Sequence, residues 1–440
     1  MKIAWFTPFA KESAIGYYSK LATEAIHNSY EVDIWVSNRD GNNLHPSELN
    51  VVRYTPDDNL EKLLDYDFLI YNMGNCYEYH IDIYKVLQRY KGILILHDVV
   101  MHNFFMGVWL LDENNQNGYI EYLGKRYGNE VQKLAKSSFR GEIVPPFWET
   151  DKCAEYPFIE KTIENATGII VHSQYHYRII ESCFDGVLAE IQFPFMHKEN
   201  MQRKTPKEKH NKVRLLTYGQ VNRNKCVDKV IKAIGENEFL RGEIEYNIIG
   251  SLGNVNYVNE LKELIKKYHL DDNVKLLGYR NDEELEQYIN NTDIMMNLRF
   301  PAFEGASWSL LEQMSKGKFI IATETGCYSE ISDECLVKIK PGNEEEEIEE
   351  ILLHFCKNRS EIDIIGENAK RLAVSKYNAE NYNFRFSKFI QSMEVKAPVE
   401  KLLDKIITEL CNLGICSDMP IVTELVNKVE GFLGGEEKGV

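Results

Sequence analysis

Short apolar runs alternate with longer amphipathic segments along most of the chain. In the first half the runs lie at 2–7, 32–36, 67–71, 92–96 and 167–171. Runs of this length between helical patterns are typical of parallel strands joined by crossover helices. A glycine turn after the first run, at Gly16, opens a helix through Ile26, which is how dinucleotide-type α/β folds begin. The first half is therefore predicted to be an α/β lobe.

The same alternation starts again after a basic, polar segment at 198–214, which is predicted to be a linker. Further strands are predicted at 213–219, 246–250, 274–278, 293–296 and 319–321, and helices near 227, at 257–268 and at 282–290. An acidic run at 342–350 is predicted to start another helix, because acids favour a helix N-terminus. Two successive α/β halves predict two facing sheets with a cleft between them.

These patterns divide the chain into four segments. Residues 1–200 and 201–375 are predicted to be the two Rossmann-like domains, and 376–395 a helix that crosses back to the first domain. Residues 396–440 are predicted to be a helical tail with two amphipathic segments, 402–413 and 421–433. The aromatic, irregular segment 100–160 is predicted to be a set of helical insertions that wall one side of the cleft.

The chain is organised around the segment 297–318, which follows an apolar strand. A loop with Glu304 and Gly305 leads into a helix that ends before Gly317, a suitable C-cap. The first turn of such a helix directs free N–H groups and a positive dipole towards an anion. The carboxylates of Glu304 and Glu312 border that position. An anion site bordered by acids suits a ligand with phosphate and hydroxyl-rich parts, and a nucleotide sugar is such a ligand.

Simpler interpretations of the same residues stay open at this point. The sequence from Ser309 to Glu312 fits a capping box, so Glu312 could serve only as a helix cap. Glu304 could be an ordinary solvated loop acid. His97 follows the apolar run 92–96, where ligands bind in open α/β sheets, yet a single histidine is more often a packed structural residue. Ser173 is predicted to cap a helix.

Composition excludes several classes of function. The formal net charge of −17 argues against nonspecific nucleic-acid binding, which depends on neutralising phosphates. Nine cysteines are scattered without metal-ligand spacing, so reduced thiols in a cytosolic protein are expected. The N-terminus does not fit a signal peptide, and no apolar run reaches membrane-spanning length. The absence of GxGxxG, GxxxxGK[ST] and GxSxG motifs argues against dehydrogenases, NTPases and hydrolases.

Over residues 1–395 the chain resembles the retaining, GT-B-fold glycosyltransferases of family 4. The main motif is the E-x7-E pair, met by Glu304 and Glu312 and preceded by the LRFP sequence that begins at Leu298. Further matches occur along the chain in the order found in the family. They are the glycine turn, the LHD and VHS sequences at the ends of two predicted strands, and the segment 219–225 with its terminal lysine. Together they imply the GT-B fold, an α/β architecture with a donor site between the lobes.

The resemblance implies roles for particular residues. His97, Lys225 and Glu304 would be catalytic: Lys225 neutralises the donor diphosphate, Glu304 contacts the sugar near the reacting centre, and His97 faces the sugar from the opposite domain. Glu312 would hold the ribose hydroxyls. The other implied substrate-binding residues are Gly16, Asp98, Gln220, Arg223, Tyr279, Arg299, Gly305, Ala306 and Ser307. Gln220 departs from the family, in which arginine commonly stands there, so either Arg223 supplies that charge or the diphosphate is bound more weakly.

The activity implied is transfer of a sugar from a nucleoside-diphosphate donor to an acceptor hydroxyl, with retention of configuration and without a metal or other cofactor. The acceptor would be a glycan, a lipid-linked molecule or a protein, in polysaccharide or glycoconjugate synthesis. A cytoplasmic enzyme, with possible contact to the inner membrane face, is expected. The alternatives are a noncatalytic sugar-nucleotide-binding subunit and a nucleotide-sugar epimerase; the E-x7-E pair favours transfer.

Overall fold

The computed structural model describes residues 1–195, 211–253 and 255–412, with side chains described up to 395. Two compact units are present, Met1–Phe386 and Ser387–Val440. The larger unit holds two parallel β-sheets, each covered by helices. The smaller unit is helical up to residue 412. Most of the basic run at 198–214 and the amphipathic segment 421–433 lie outside the described residues.

The first lobe is a seven-stranded parallel sheet with the order β3-β2-β1-β4-β5-β6-β7. Its strands are β1 (Lys2–Phe6), β2 (Glu31–Ser37), β3 (Asn50–Tyr54), β4 (Phe68–Met73), β5 (Gly92–Leu96), β6 (Ala166–Val171) and β7 (Val187–Glu190). The helices are α1 (Ala14–Ile26), α2 (Tyr77–Arg89), α3 (His102–Gly107), α4 (Gln116–Tyr127), α5 (Asn129–Phe139), α6 (Ile159–Ile163) and α7 (Gln174–Glu181). The strand order reverses between β1 and β4, which makes this a doubly wound sheet.

The second lobe repeats this topology with six strands in the order β10-β9-β8-β11-β12-β13. They are β8 (Val213–Tyr218), β9 (Ile244–Ile249), β10 (Val274–Gly278), β11 (Ile294–Asn297), β12 (Phe319–Thr323) and β13 (Val337–Ile339). The helices are α8 (Val227–Glu236), α9 (Glu238–Glu243), α10 (Val255–Lys267), α11 (Asp282–Asn291), α12 (Trp308–Ser315), α13 (Glu344–Lys357), α14 (Arg359–Lys376) and α15 (Ala379–Asn412).

The strands predicted from apolar runs are all present, and the three that the pattern missed, β3, β7 and β13, are all at sheet edges. These strands are only partly buried, so their sequences, NVVRY, VLAE and VKI, do not form continuous apolar runs. Central strands are buried on both faces and therefore stand out in the sequence. The prediction of an α/β fold with two Rossmann-like sheets is confirmed.

The segment 100–160 is helical, as predicted, and its aromatic side chains pack in the core of the first lobe. Phe158 is fully buried and stacks against Phe105 at 5.5 Å and Tyr122 at 5.2 Å between ring centroids. At the start of α15, the Tyr382 hydroxyl lies 2.7 Å from that of Tyr18 in α1. No helix in the described part of the chain combines the length and apolar character needed to cross a membrane.

Candidate functional site

The two lobes meet at the carboxyl ends of their strands. The backbone N–H of Gly305, in the loop after β11, donates a hydrogen bond of 2.8 Å to the carbonyl of His97, which follows β5. Asp98 and Glu304 pair as an isolated antiparallel bridge next to it. The carboxyl edge of a doubly wound sheet is where ligands bind, particularly where the strand order reverses. In the second lobe this reversal lies between β8 and β11, from which Gly219 and the 298–305 loop extend.

Glu304 is held in the cleft by two groups of its own lobe. Its Oε1 accepts a hydrogen bond of 2.9 Å from the Tyr328 hydroxyl and lies 3.2 Å from Arg299 Nε. The Glu304 side chain is 27% exposed and that of Arg299 is 20% exposed. The carboxylate is therefore part of a partly buried charge cluster and not an ordinary solvated loop acid.

Lys225 lies in the same cluster and is 8% exposed. Its ammonium donates a hydrogen bond to the carbonyl of Tyr218, at the end of β8. Burial, and to a lesser extent the charge of Arg299, lowers the pKa of Lys225 to about 7, while Glu304 acts in the opposite direction. Gly219 has a φ of +92°, and a Cβ there would stand 2.6 Å from Lys225 Nζ. A glycine is thus required for the lysine to reach this position.

Glu312 does not take part in a capping box, the simpler interpretation that the sequence left open. Ser307 is the N-cap of α12 and accepts a hydrogen bond of 3.3 Å from the N–H of Leu310. Glu312 lies one turn further on, where its Oε2 accepts a hydrogen bond of 2.6 Å from the Tyr218 hydroxyl. Its other oxygen is 3.3 Å from Lys316 Nζ. Because Tyr218 contacts both Lys225 and Glu312, the two predicted ligand-binding groups lie on one continuous wall of the cleft.

His97 and Asp98 contribute the first-lobe side of the cleft. His97 Nε2 lies 3.1 Å from Asn72 Oδ1, and its ring packs edge-on against Tyr18. Burial, together with nearby histidines, lowers the pKa of His97 well below its usual range, so this imidazole is neutral. Burial raises the pKa of Asp98 to about 7; a hydrogen bond from the Asn75 N–H opposes the rise and Glu304 adds to it. Groups titrating near neutrality within one cleft are typical of functional sites.

The start of α1 borders the same cleft. Gly16 lies in its first turn, and a Cβ there would stand 2.5 Å from the carbonyl of Pro8. The ring of the next residue, Tyr17, packs edge-on against Trp308 at the start of α12, with 4.7 Å between centroids. Ala306 and Ser307 line a small cavity between the lobes with Gln192 and Tyr377, among others.

Three of the predicted residues are not brought to this cluster. Arg223 Nη2 lies 2.6 Å from Glu260 Oε2 on α10, and its guanidinium stacks over the Tyr257 ring at 4.7 Å. The Gln220 side chain accepts a hydrogen bond from the Asn222 amide in its own loop. Tyr279 is 73% exposed beyond the end of β10. The second cation beside Lys225 in this structure is therefore Arg299, not Arg223.

Sequence reasoning missed four residues that hold the cluster together: Asn72, His176, Tyr218 and Tyr328. Tyr218 directly precedes the glycine turn after β8, which is a position that could have been noticed. His176 lies three residues after the VHS strand end. Tyr328 lies in a short 3-10 helix after β12 and is brought to Glu304 only by the fold, so no sequence signal marks it.

Comparison with known proteins agrees with this architecture. The family model for glycosyl transferases group 1 matches residues 198–372. A curated relative, the amylovoran biosynthesis glycosyltransferase AmsK of Erwinia amylovora, is 24% identical over 174 residues, which are 38% of this chain and 42% of that protein. The match thus spans less than half the length of this relative.

Solved structures of other proteins share the fold over most of the chain. Anabaena Alr3699/HepE in complex with UDP-glucose superposes with a TM-score of 0.59 at 15% identity, covering 89% of this chain and 100% of that one. Sucrose-phosphate synthase (tll1590) from Thermosynechococcus elongatus gives a TM-score of 0.58 at 14% identity, with coverages of 90% and 99%. The chain has the GT-B fold, and the similarity to glycosyl transferases group 1 covers residues 198–372.

Proposed function

We propose that this protein is a retaining glycosyltransferase that moves a sugar from a nucleoside-diphosphate donor to an acceptor hydroxyl in glycan synthesis. The observation that carries the proposal is the cluster of Lys225, Arg299 and Glu304 at the carboxyl edge of the second sheet, beside the N-terminus of α12. The group 1 match covers this part of the chain, and the fold is shared with a protein solved in complex with UDP-glucose.

The chemistry requires stabilisation of the leaving group. When the bond between the anomeric carbon and the diphosphate oxygen breaks, negative charge accumulates on the departing phosphate. Lys225, Arg299 and the N-terminus of α12 are fixed positive groups directed at this charge. The N–H of Gly305 is engaged by His97, so the diphosphate would be bound by the amides of Ala306 and Ser307. In this proposal the protein cations take the place of a metal ion.

The remaining residues position the two substrates. Glu304 would contact the donor sugar near the anomeric carbon, and Glu312 would accept hydrogen bonds from the ribose hydroxyls. Neutral His97 faces the sugar from the first lobe. Retention follows if the acceptor hydroxyl attacks the face from which the phosphate leaves and passes its proton to the departing phosphate oxygen. Closure of the lobes excludes water and so limits hydrolysis.

A noncatalytic sugar-nucleotide-binding subunit is the remaining alternative, since Gln220 replaces the usual arginine and Arg223 is bound to Glu260. Catalysis is still favoured, because Arg299 supplies a second cation within the cluster in place of Arg223. A screen of nucleotide sugars decides between the two: thermal shift reports binding, and release of nucleotide in the presence of candidate glycan acceptors reports transfer. We expect both signals with one donor. Binding without nucleotide release, across donors and acceptors, would favour the noncatalytic subunit.

The charge of Lys225 should make donor binding depend on pH. With a pKa of about 7, the free protein holds this ammonium below that pH and loses it above. A bound diphosphate favours the protonated form, so its dissociation constant should rise about tenfold per pH unit above pH 7. Calorimetric titration of the nucleoside diphosphate found in the screen, from pH 6 to 9, measures this. The Lys225→Arg variant, which stays charged, should lose most of the slope; an equal slope in both proteins would contradict the assignment.

Glu312 provides a separate test of the ribose contact. Glu312→Ala should raise the KM for the donor about 10- to 100-fold, because hydrogen bonds to a charged group contribute roughly 1.5–3 kcal/mol, and should change kcat much less. The matched control is Glu286→Ala, since Glu286 also pairs with Lys316 but does not contact Tyr218. Equal donor KM values in the two variants would rule out a ribose contact by Glu312.

A further inference from the structure

Helix α7 of the first lobe is bound at its N-terminus by a carboxylate of the second lobe. Glu330, at the end of a short 3-10 helix after β12, accepts hydrogen bonds from the backbone N–H groups of Gln174 at 3.1 Å and Tyr175 at 2.5 Å. A negative charge here satisfies unpaired amides and complements the helix dipole. This contact connects α7 to the second lobe.

One residue further along α7, His176 contacts the loop that carries Glu304. His176 is fully buried, and its Nε2 lies 3.1 Å from the carbonyl oxygen of Phe303. Because a carbonyl only accepts hydrogen bonds, Nε2 must carry the proton. The ring fits against the loop only because residue 305 is glycine, since a Cβ there would stand 2.6 Å from His176 Nδ1.

Both lobes therefore contact the Glu304 loop, and each lobe contacts a different part of it. Its carboxylate is held by Arg299 and Tyr328 of the second lobe. Its backbone on either side of Glu304 is held by the first lobe: the Phe303 carbonyl by His176 and the Gly305 N–H by the carbonyl of His97. The position of the carboxylate relative to Lys225 thus depends on groups from both lobes.

We propose that His176 is a positioning residue for the transfer reaction, which fixes the Glu304 loop when α7 is docked on the second lobe, and that Glu330 holds α7 in this docked position. The proposal rests on the proposed function. His176 acts through the Phe303 carbonyl and touches neither substrate. Its effect should appear in the chemical step, because a small displacement of a reacting group costs catalysis more than it costs binding of a donor held elsewhere by its diphosphate and ribose.

The test compares His176→Leu with His176→Gln. Leucine fills the space without a donor, whereas the glutamine amide places an N–H near the position of Nε2. We expect His176→Leu to lower kcat about 10- to 100-fold with the dissociation constant of the donor unchanged within about twofold, and His176→Gln to recover most of the loss. His27→Leu, at an exposed histidine of the same lobe, is the control for loss of a histidine. Equal kcat values for His176→Leu and the wild type would overturn the proposal.

Hydrogen–deuterium exchange gives a readout that does not require activity. Backbone amides of the 298–307 loop should exchange faster in His176→Leu and Glu330→Ala, and at the wild-type rate in His176→Gln and in the exposed control Glu334→Ala. Unchanged exchange in both test variants would overturn the coupling. If the wild type releases nucleotide from no donor while the exchange pattern appears as expected, the proposed function fails and the loop coupling stands.

Discussion

The Lys225→Met variant is expected to lose transfer activity, with kcat/KM about 10²- to 10³-fold below that of the wild type. The methionine removes the ammonium beside the departing diphosphate and leaves Arg299 as the remaining cation of the cluster. Residual activity should come from Arg299 and the N-terminus of α12. Released nucleotide, measured at several donor concentrations, gives kcat and KM separately.

The same substitution should not destabilise the fold. Burial lowers the pKa of Lys225 from 10.5 to about 7, so between these pH values the folded protein binds fewer protons than the unfolded chain. The ionisation of Lys225 therefore lowers the free energy of unfolding at neutral pH, and this destabilisation diminishes as the pH rises towards 10.5. A methionine carries no such cost, so the melting temperature of Lys225→Met at pH 7 should equal or exceed that of the wild type. A residue kept at a cost in stability is typical of a functional site.

The matched control for Lys225 is Lys229→Met. Lys229 lies in the first turn of α8 and pairs with Glu345, outside the cluster. Its replacement should leave kcat/KM within about twofold of the wild type, because surface ion pairs contribute little. If Lys225→Met retained wild-type turnover, or if both lysine variants lost it equally, the assignment of Lys225 to the leaving group would be wrong.

Glu304→Gln should have an effect of similar size, lowering kcat about 10²- to 10³-fold while the donor still binds. Glutamine keeps the size of the side chain and can still accept the hydrogen bond from Tyr328, so the loop should keep its conformation. What disappears is the negative charge near the anomeric carbon. Steady-state kinetics together with calorimetry of the donor separate loss of chemistry from loss of binding.

The control for this carboxylate is Glu324→Gln, since Glu324 is exposed after β12 and is not part of the cluster. It should behave as the wild type in both measurements. A Glu304→Gln variant with normal kcat, or one that has lost donor binding as severely as turnover, would show that Glu304 does not act at the reacting centre.

The central part of the fold was predictable from sequence, because strands buried on both faces read as continuous apolar runs. The edge strands β3, β7 and β13 were not predictable, since their partial burial leaves a mixed sequence. The sequence also left open a capping box from Ser309 to Glu312, which the structure does not contain. Both Ser307 and Ser309 fit a helix start, and the course of the loop decides that Ser307 is the cap.

Sequence predicted only those residues of the site that come shortly after the end of a strand. His97, Glu304 and Lys225 come shortly after strands whose carboxyl edges meet, and the structure brings them to one cleft. Arg223 was chosen by its closeness to Lys225 in sequence, which does not determine where a side chain points; it contacts Glu260 instead. The contacts of Tyr328 and His176 join segments far apart in the chain, and only the folded structure shows them.

A crystal structure of the protein soaked with the nucleoside diphosphate found in the donor screen is the most direct test of the whole account. We expect the diphosphate at the N-terminus of α12 within hydrogen-bond distance of Lys225 and Arg299, with the ribose hydroxyls against Glu312. A nucleotide bound elsewhere, or a vacant cleft with Glu304 and Glu312 turned apart into solvent at saturating nucleotide, would contradict it.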